Sequence, residues 1–443
     1  VPFLAGNAVS ERTGKGYLPA YSIVRKGGVK VAVLGYTNAA NASLMDASCV
    51  SGISFKSLLP LVQEDVDKVR SKEKPQVVIV VAHTSMGKGD GKNLERQGLD
   101  LFNSLKGVDV LVTGHDHTTK VLKTDSTVLL DCGRAGQYAC LADIKLVVRG
   151  GKVISRSLSG EVESFGSENY DTAMEEAFKS DYEKVRDFNT SHVGEVKKDL
   201  VSREFYYRQC DYMNFLHALA FSAWPVDISL SATLLIDGKV PAGEVRYQDI
   251  RKIYPYDNKL IVLRLTGAEI LRYLEASYDA WISTVPGPSE GSHVLRITQT
   301  KDYATGGMKW KLAKSPANFD SAAGIRYTVD VTKPYGSRVT VSGMADGSPF
   351  EMDKDYSVAI TSYRSTGSGG LMKAAGLMDA RSVEDRIIYR GPEFRTILYR
   401  YLKKHVSIDP AVVGDPNVVG SWRFVPDFAP EAIKADVELL YGK

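Results

Sequence analysis

The chain has 443 residues, of which 44% are hydrophobic and 25% charged, the balance of an ordinary globular protein of roughly two to three domains. A formal net charge of only +3, spread evenly, gives no basis for a nucleic-acid polymer or an anionic membrane as partner. No stretch approaches the roughly 18 consecutive apolar residues of a membrane span.

The first section alternates strands and helices. Val29–Gly35, Pro75–Ala82 and Val108–Thr113 are continuous apolar runs of the kind buried on both faces of a sheet, with helical patterns near 56–71 and 93–105. Thr127–Cys132 and Ala139–Val148 read as a hairpin. Of the four cysteines, Cys49, Cys132, Cys140 and Cys210, none forms a CxxC pair. Cys132 and Cys140 are near enough to bond across that hairpin, but the expectation is that they are buried thiols acting as small hydrophobes.

Residues 168–190 are rich in charge and predict an exposed helix, either a bridge between domains or a surface helix of the first one. A second domain begins near 195. Asp211–Trp224 is helical in pattern. Thr266-Gly267-Ala268-Glu269 is a capping box opening a helix that places Leu271, Leu274, Tyr278 and Trp281 on one face. Tyr327–Val331 and Tyr356–Ile360 are strands. The last helix is predicted near 392–404, before a proline-bearing tail ending in Ser421-Trp422-Arg423-Phe424.

The chain holds seven histidines, and three of them, His83, His115 and His117, directly follow two of the apolar strands. The carboxyl ends of strands in an α/β sheet are where ligands bind, and neutral imidazole is the commonest transition-metal ligand. In Gly114-His115-Asp116-His117 the glycine is expected to make the sharp turn, so that the rings can face two metals, or a metal and a phosphate. His192, His217, His293 and His405 lack such a context and read as structural or surface residues.

The order of an apolar strand, "VVAHTS", a helix, "VDVLVTGHDH" and a hairpin resembles the calcineurin-like metallophosphoesterases. It is most similar to the branch holding the 5'-nucleotidases and the 2',3'-cyclic-nucleotide phosphodiesterase/3'-nucleotidases. The resemblance spans nearly the whole chain. It implies that His83 is a metal ligand, that His117 completes the shell of the other metal, and that His115 is both a ligand and the catalytic histidine beside it. It also implies two divalent ions, zinc, manganese or similar, and export to the periplasm or cell surface.

The family pattern opens with Asp-x-His, Gly-Asp and Gly-Asn-His segments that supply the bridging carboxylate and further ligands. None is present: Gly6-Asn7 is followed by Ala8. Without a bridging carboxylate, three histidines are expected to hold one ion or none. Three explanations stay open: a fragment, which is the expectation favoured here, a missing segment contributed by another chain, or a lineage that has lost catalysis. A chain that opens on Val1 rather than Met is itself expected to have been trimmed.

The same resemblance makes the second domain a nucleoside grip. Tyr256 in Tyr254-Pro255-Tyr256-Asp257-Asn258-Lys259 and Tyr363 in Ser362-Tyr363-Arg364-Ser365-Thr366-Gly367-Ser368-Gly369-Gly370 match its two base-stacking positions, and Asn258 matches its loop asparagine. Gly367 lets backbone approach a ligand, and Arg364 and Arg208 are candidates for phosphate or ribose contact, weighed against ordinary surface ion pairs. Leu230–Leu235 lacks the arginine and glycines of typical 5'-nucleotidases, and "YRSTGSGG" is similar to the cyclic-phosphodiesterase branch. A 3'- or cyclic phosphate is therefore favoured over a 5'-phosphate.

The expected architecture is α/β, with α+β character in the second domain. It comprises an incomplete, N-terminally truncated metallophosphoesterase αββα sandwich over 1–165, a linker helix over 166–192, and a 5'-nucleotidase-type C-terminal domain over 193–443. The expected activity is metal-dependent hydrolysis of nucleotide phosphate esters. The expected partners are a nucleotide or nucleoside and the missing N-terminal segment, with no nucleic-acid polymer and no membrane span. The competing reading is a nucleotide-binding protein without catalysis.

Overall fold

The computed structural model describes residues 2–45, 47–150, 152–166, 170–287, 291–301, 307–377 and 379–442. Its contacts divide the chain into two units, Val1–Thr172 and Ala173–Lys443.

In the first unit the apolar runs become the centre of a six-stranded sheet. Its strands are β1 (Tyr21–Lys26), β2 (Val29–Tyr36), β3 (Val77–Ala82), β4 (Val110–Thr113), β5 (Thr119–Lys123) and β6 (Val128–Cys132), in the order β1-β2-β3-β4-β6-β5. The four inner strands run parallel, as their uninterrupted β-branched sequences demand. The edge strands β1 and β5 carry Arg25, Lys26, Lys120 and Lys123, charges that discourage edge-to-edge pairing. Helix α1 (Leu58–Glu73) buries Leu58, Val62, Val66 and Val69 at helical spacing against Ala32, Leu34, Val78 and Val80. The helix predicted over 93–105 is shorter, Gly98–Ser104 (α2), because the preceding polar loop is held by side-chain hydrogen bonds instead.

The hairpin predicted between 127–132 and 139–148 does not form. Strand β6 is buried along most of its length and pairs with β4 and β5. Residues Tyr138–Arg149 (β7) pair with Lys152–Ser164 (β8) instead. Cys132 and Cys140 are disulfide-bonded, with Cα atoms 5.5 Å apart, so the expectation of two free thiols is corrected.

The second unit opens with helix α3 (Thr172–Thr190). Of the longer helix predicted here, Glu168 and Asn169 lie outside the described residues. Helix α4 (Asp211–Ala223) is apolar nearly all round and is correspondingly buried from Tyr212 to Ala220. A five-stranded sheet follows, built from β9 (Ile228–Ala232), β10 (Lys259–Thr266), β11 (Asp320–Ala323), β14 (Asp355–Thr361) and β15 (Ile387–Glu393), in the order β11-β9-β14-β10-β15. Helix α5 (Gly267–Trp281) packs on it through Ile270, Tyr273, Leu274, Tyr278 and Trp281. The predicted Leu271 is only half-buried, so the buried face is centred one position earlier than the sequence suggested. The predicted capping box is present: the Glu269 amide donates to Thr266 Oγ1 at 3.2 Å and the Thr266 amide to Glu269 Oε2 at 2.8 Å.

A second, three-stranded sheet joins β12 (Ile325–Asp330), β13 (Val339–Met344) and β16 (Trp422–Val425) in the order β13-β12-β16. The proline-bearing tail is therefore partly a strand, parallel to β12. The helix predicted as the last, observed as Phe394–His405 (α6), is followed by α7 (Ala429–Tyr441), whose first turn accommodates Pro430 because amides there have no helical acceptor. Thr266→Ala removes one acceptor of the capping box and is expected to lower the unfolding free energy of the second unit by about 1 kcal/mol without changing the denaturant m-value, as read by urea titration.

Candidate functional site

The chemistry-bearing residues fall into two clusters, one in each unit. In the first, β3 and β4 lie side by side and parallel, so the loops after them emerge at the same edge of the sheet. The His83 amide donates to the Tyr36 carbonyl at 3.0 Å, extending the β2–β3 ladder by one residue. The imidazoles of His83 and His115 meet edge to face, with His115 Nδ1 3.2 Å from His83 Nε2. The other nitrogen of His115 lies 3.1 Å from Glu95 Oε1, a carboxylate that fixes ring orientation and favours a proton on Nε2. Burial, then the neighbouring His115 and His117, hold the His83 imidazole below its ordinary pKa, in the neutral form.

The turn itself differs from expectation. Gly114 is not in the left-handed region; His115 (φ 86°) and His117 (φ 59°) are. Asp116 fastens the turn to the β3 loop by accepting from the Met86 amide at 2.8 Å. Burial pushes the Asp116 carboxyl upward, but the hydrogen bonds it accepts and the nearby Arg96 bring it below the usual carboxylate range. Beside it lies a hollow of about 490 Å³ lined by Lys88, Lys92, Arg96 and Asp116 among others.

The fit to a two-metal centre is poor. Among the described residues no three His, Cys, Asp or Glu side chains converge as a metal-ion site. His83 and His115 turn nitrogens toward each other, Glu95 takes the other nitrogen of His115, and His117 is exposed. A dinuclear centre needs carboxylates that balance its charge. We derive no chemical step through metal ions in this arrangement.

The second cluster is built by strand register. β10 and β14 pair antiparallel with Leu260 opposite Thr361, so the loop entering β10 and the turn leaving β14 lie at the same end of the sheet. The Lys259 amide donates to Ser362 Oγ at 3.0 Å and links them. Tyr256, Asn258 and Tyr363 thus line one cavity of about 170 Å³, together with Leu230, Ala232 and Asp320. Tyr256 and Tyr363 are 47% and 43% exposed, so both side chains are open to a ligand. Arg395 holds the Tyr256 loop, donating from Nε to the Tyr254 carbonyl at 3.0 Å and from its terminal nitrogens to the Pro255 carbonyl and Asp257.

Arg364 is not the surface residue that sequence suggested. It is buried and forms a bidentate pair with Asp320, its Nε 2.9 Å from Oδ2. Its remaining N–H groups go to Asn318 Oδ1 at 3.0 Å, the Ser368 carbonyl at 3.1 Å and the Ala317 carbonyl. With all five guanidinium donors engaged, it shapes the cavity wall and has none left for a phosphate. Its guanidinium also lies 5.3 Å from the Tyr363 ring centroid and supports that ring. Gly369 belongs to this network: a Cβ there would fall 2.4 Å from Asn318 Oδ1 and 2.5 Å from Arg364 Nη1. Gly367 is left-handed at φ 85° and opens the turn that follows. Arg208 is exposed and paired with Glu204 at 2.5 Å, away from the residues lining the cavity.

Glu95, Asp320 and Asn318 were not singled out from sequence. Asp320 left a trace, as a lone acid in a strand of small residues, where a buried carboxylate requires a cation. Glu95 left none, because its loop has no periodic pattern.

Residues 191–376 match the family described as 5'-nucleotidase, C-terminal domain. This segment is a 5'-nucleotidase C-terminal domain. Over the wider chain, the trifunctional nucleotide phosphoesterase protein YfkN of Bacillus subtilis is 21% identical across 86% of this chain, which spans only 28% of that relative. A 2',3'-cyclic-nucleotide 2'-phosphodiesterase/3'-nucleotidase of Salmonella typhimurium is 20% identical across 100% of this chain and 74% of its own. A structure described as a 5'-nucleotidase from Staphylococcus aureus shares the fold, with a TM-score of 0.64 and 16% identity over 96% of this chain and 78% of that one.

Two outcomes test this account. Arg364→Ala strands the Asp320 carboxylate and is expected to cost roughly 3–5 kcal/mol of stability, a folding defect visible by thermal denaturation rather than a selective loss of affinity. Asp131, at the end of β6, is buried, and burial together with the nearby Asp116 raises its pKa against the weaker pull of Thr113, Gly133 and Lys120. A carboxyl raised in the folded state costs stability as pH rises past its unfolded value of about 4. Asp131→Asn should therefore stabilise the protein by roughly 1–3 kcal/mol near neutral pH, the gain fading toward about pH 4 in melts across that range.

Proposed function

We propose that this chain recognises a nucleotide through the cavity of its second unit and serves in hydrolysis of that nucleotide's phosphate ester. The observation that carries the reading is the pair of half-exposed tyrosines, Tyr256 and Tyr363, on one cavity that Asn258 also lines. In this reading the rings stack on the base, the Asn258 amide hydrogen-bonds to it, and the turn at Gly367 lets the backbone approach. Stacking tolerates any base, which fits a catabolic role more than a signalling one.

The wall formed by Leu230, Ser231, Ala232 and Leu234 is apolar apart from the Ser231 hydroxyl and offers no arginine to a 5'-phosphate. This supports the 3'- or 2',3'-cyclic phosphate as the preferred group. In the first unit His83, His115 and His117 are the residues proposed to face the phosphoryl group, with His115 as the catalytic candidate and Glu95 orienting it. Were carboxylates supplied to complete the set, His83, His115 and His117 would be the side chains to hold divalent ions, zinc or manganese, and such ions would supply an activated water. The hollow beside Asp116 sets Lys88, Lys92 and Arg96 against Asp90 and Asp116, a lining with an excess of positive charge that suits an anionic substrate.

The competing reading, a nucleotide-binding protein without hydrolysis, draws on a specific observation: the three histidines do not converge with a carboxylate as a metal-ion site among the described residues. The disulfide between Cys132 and Cys140 supports an oxidising location such as periplasm or cell surface. No helix among the described residues is long and apolar enough to cross a membrane.

Titration calorimetry with 2',3'-cyclic AMP, 3'-AMP and 5'-AMP tests the binding half. Tyr256→Ala and Tyr363→Ala are each expected to weaken binding by on the order of 5- to 100-fold. Unchanged affinity in both variants would sink the assignment of this cavity. Release of phosphate or monoester from the same compounds, with zinc or manganese supplied, separates the two readings. Turnover above the protein-free rate supports the hydrolase, and tight binding without turnover supports the binding protein.

A further inference from the structure

The second unit holds another cavity, of about 340 Å³, that shares no lining residue with the tyrosine cavity. It lies along α6 and β15. Arg400, Lys404 and His405 supply its cationic side, Tyr389 and Tyr401 its aromatic side, and Ser222 a hydroxyl from α4. No acidic residue is in the lining.

The charges here are arranged differently from those nearby. Arg390 is paired with Glu384 and Arg395 with Asp257. Arg400 and Lys404 have no carboxylate or hydrogen-bond partner among the described residues, although they sit one helical turn apart, where like charges repel by roughly 0.2–0.5 kcal/mol. The helix C-terminus accounts for Lys403, Lys404 and His405, which follow the favourable end of the helix dipole. It does not account for Arg400 a turn earlier, nor for the hollow into which Arg400 and Lys404 both open. The carboxylate that bears on Tyr401, Asp409, is committed to the amides of Ala411 and Val412.

The walls are braced. Tyr389 stacks on Trp224, with centroids 3.7 Å apart and planes 12° from parallel. Tyr401 stacks on His405 at 4.5 Å and meets Phe215 edge to face. Such rings present a fixed surface, so a ligand need not order them. The volume falls in the range of small-molecule sites, about 300–1,000 Å³, and far exceeds the roughly 30 Å³ of a water-sized group.

We propose that this cavity is a second anion site, taking a small molecule that bears a phosphate or pyrophosphate group. Arg400 grips two oxygens as a planar fork, Lys404 adds a point charge, and the space against Tyr389 and Tyr401 receives the organic part. A free pyrophosphate and a phosphate ester share this chemistry.

Calorimetry of the full chain at low ionic strength tests the site with pyrophosphate and with glucose 6-phosphate, neither of which has a base to stack on Tyr256 or Tyr363. Binding of either probe is expected to weaken by at least about tenfold in the Arg400→Ala/Lys404→Ala double variant and to persist in Tyr363→Ala. Arg400→Lys, which keeps the charge, should lose less than Arg400→Ala. Tighter binding of the sugar phosphate than of pyrophosphate supports an ester ligand, and the reverse supports the free diphosphate. Both exposed side chains are dispensable for folding, which an unchanged melting midpoint in the double variant checks. Absence of binding for both probes, or affinity unaltered in a folded double variant, would overturn the proposal. Because the probes lack a base, these outcomes are independent of the tyrosine cavity.

Discussion

The cavity of the second unit depends on one buried ion pair. Asp320 and Arg364 come from different segments, a strand and the turn after β14, and neither can be buried without the other. Asp320 also accepts from Tyr273 of α5 at 2.5 Å, so the pair ties the helix to the sheet. Arg364 in turn ties the 316–318 turn and the glycine turn to the same point. The two aromatic rings that line the cavity are therefore carried on a frame in which all five Arg364 donors are engaged. Such a frame holds ring positions without requiring the rings themselves to be buried.

The second anchor is register. A one-residue slip between β10 and β14 would turn the alternate residues of both strands over and separate the Tyr256 loop from the Tyr363 turn. Slip is opposed by the apolar character of β10, buried from Leu260 to Leu263, and by the capped start of α5 immediately after it. Local capping, strand burial and loop position thus favour one arrangement, and the site inherits its geometry from them.

These same features decide what could be read without coordinates. Strands β2, β3 and β4 and the capped helix α5 were legible because long apolar runs and a Thr-x-x-Glu box are local signals. Tyr256, Asn258 and Tyr363 were legible through their motifs, and the cavity brings them together. Arg364 was misjudged because exposure is a property of the fold: a charged residue in a polar turn gives no sign that a carboxylate 44 residues away will bury it. The pairing of β6 was misjudged for a related reason. Two neighbouring strand patterns suggest a hairpin, but β6 is apolar on both faces and belongs inside a sheet, leaving β7 to pair with β8. The disulfide then joins the two strands that do not pair.

The histidine turn carries the strongest structural argument for a role beyond folding. A turn that merely reversed direction would place its left-handed residue at Gly114, where positive φ is free of steric cost. Instead Gly114 stays out of that region and His115 and His117 take it, at a cost on the order of 1 kcal/mol or more each. Asp116 holds the turn in this state through the Met86 amide, and Glu95 holds the ring of His115. The backbone is thus held in a conformation that serves imidazole placement at the expense of local stability. Histidine tolerates the left-handed region better than most side chains, which limits the cost but does not remove it. This strain, maintained by two separate side-chain contacts, stands at the carboxyl edge of a parallel sheet, where ligands bind in α/β folds, and beside a hollow lined by Lys88, Lys92 and Arg96 together with Asp90 and Asp116.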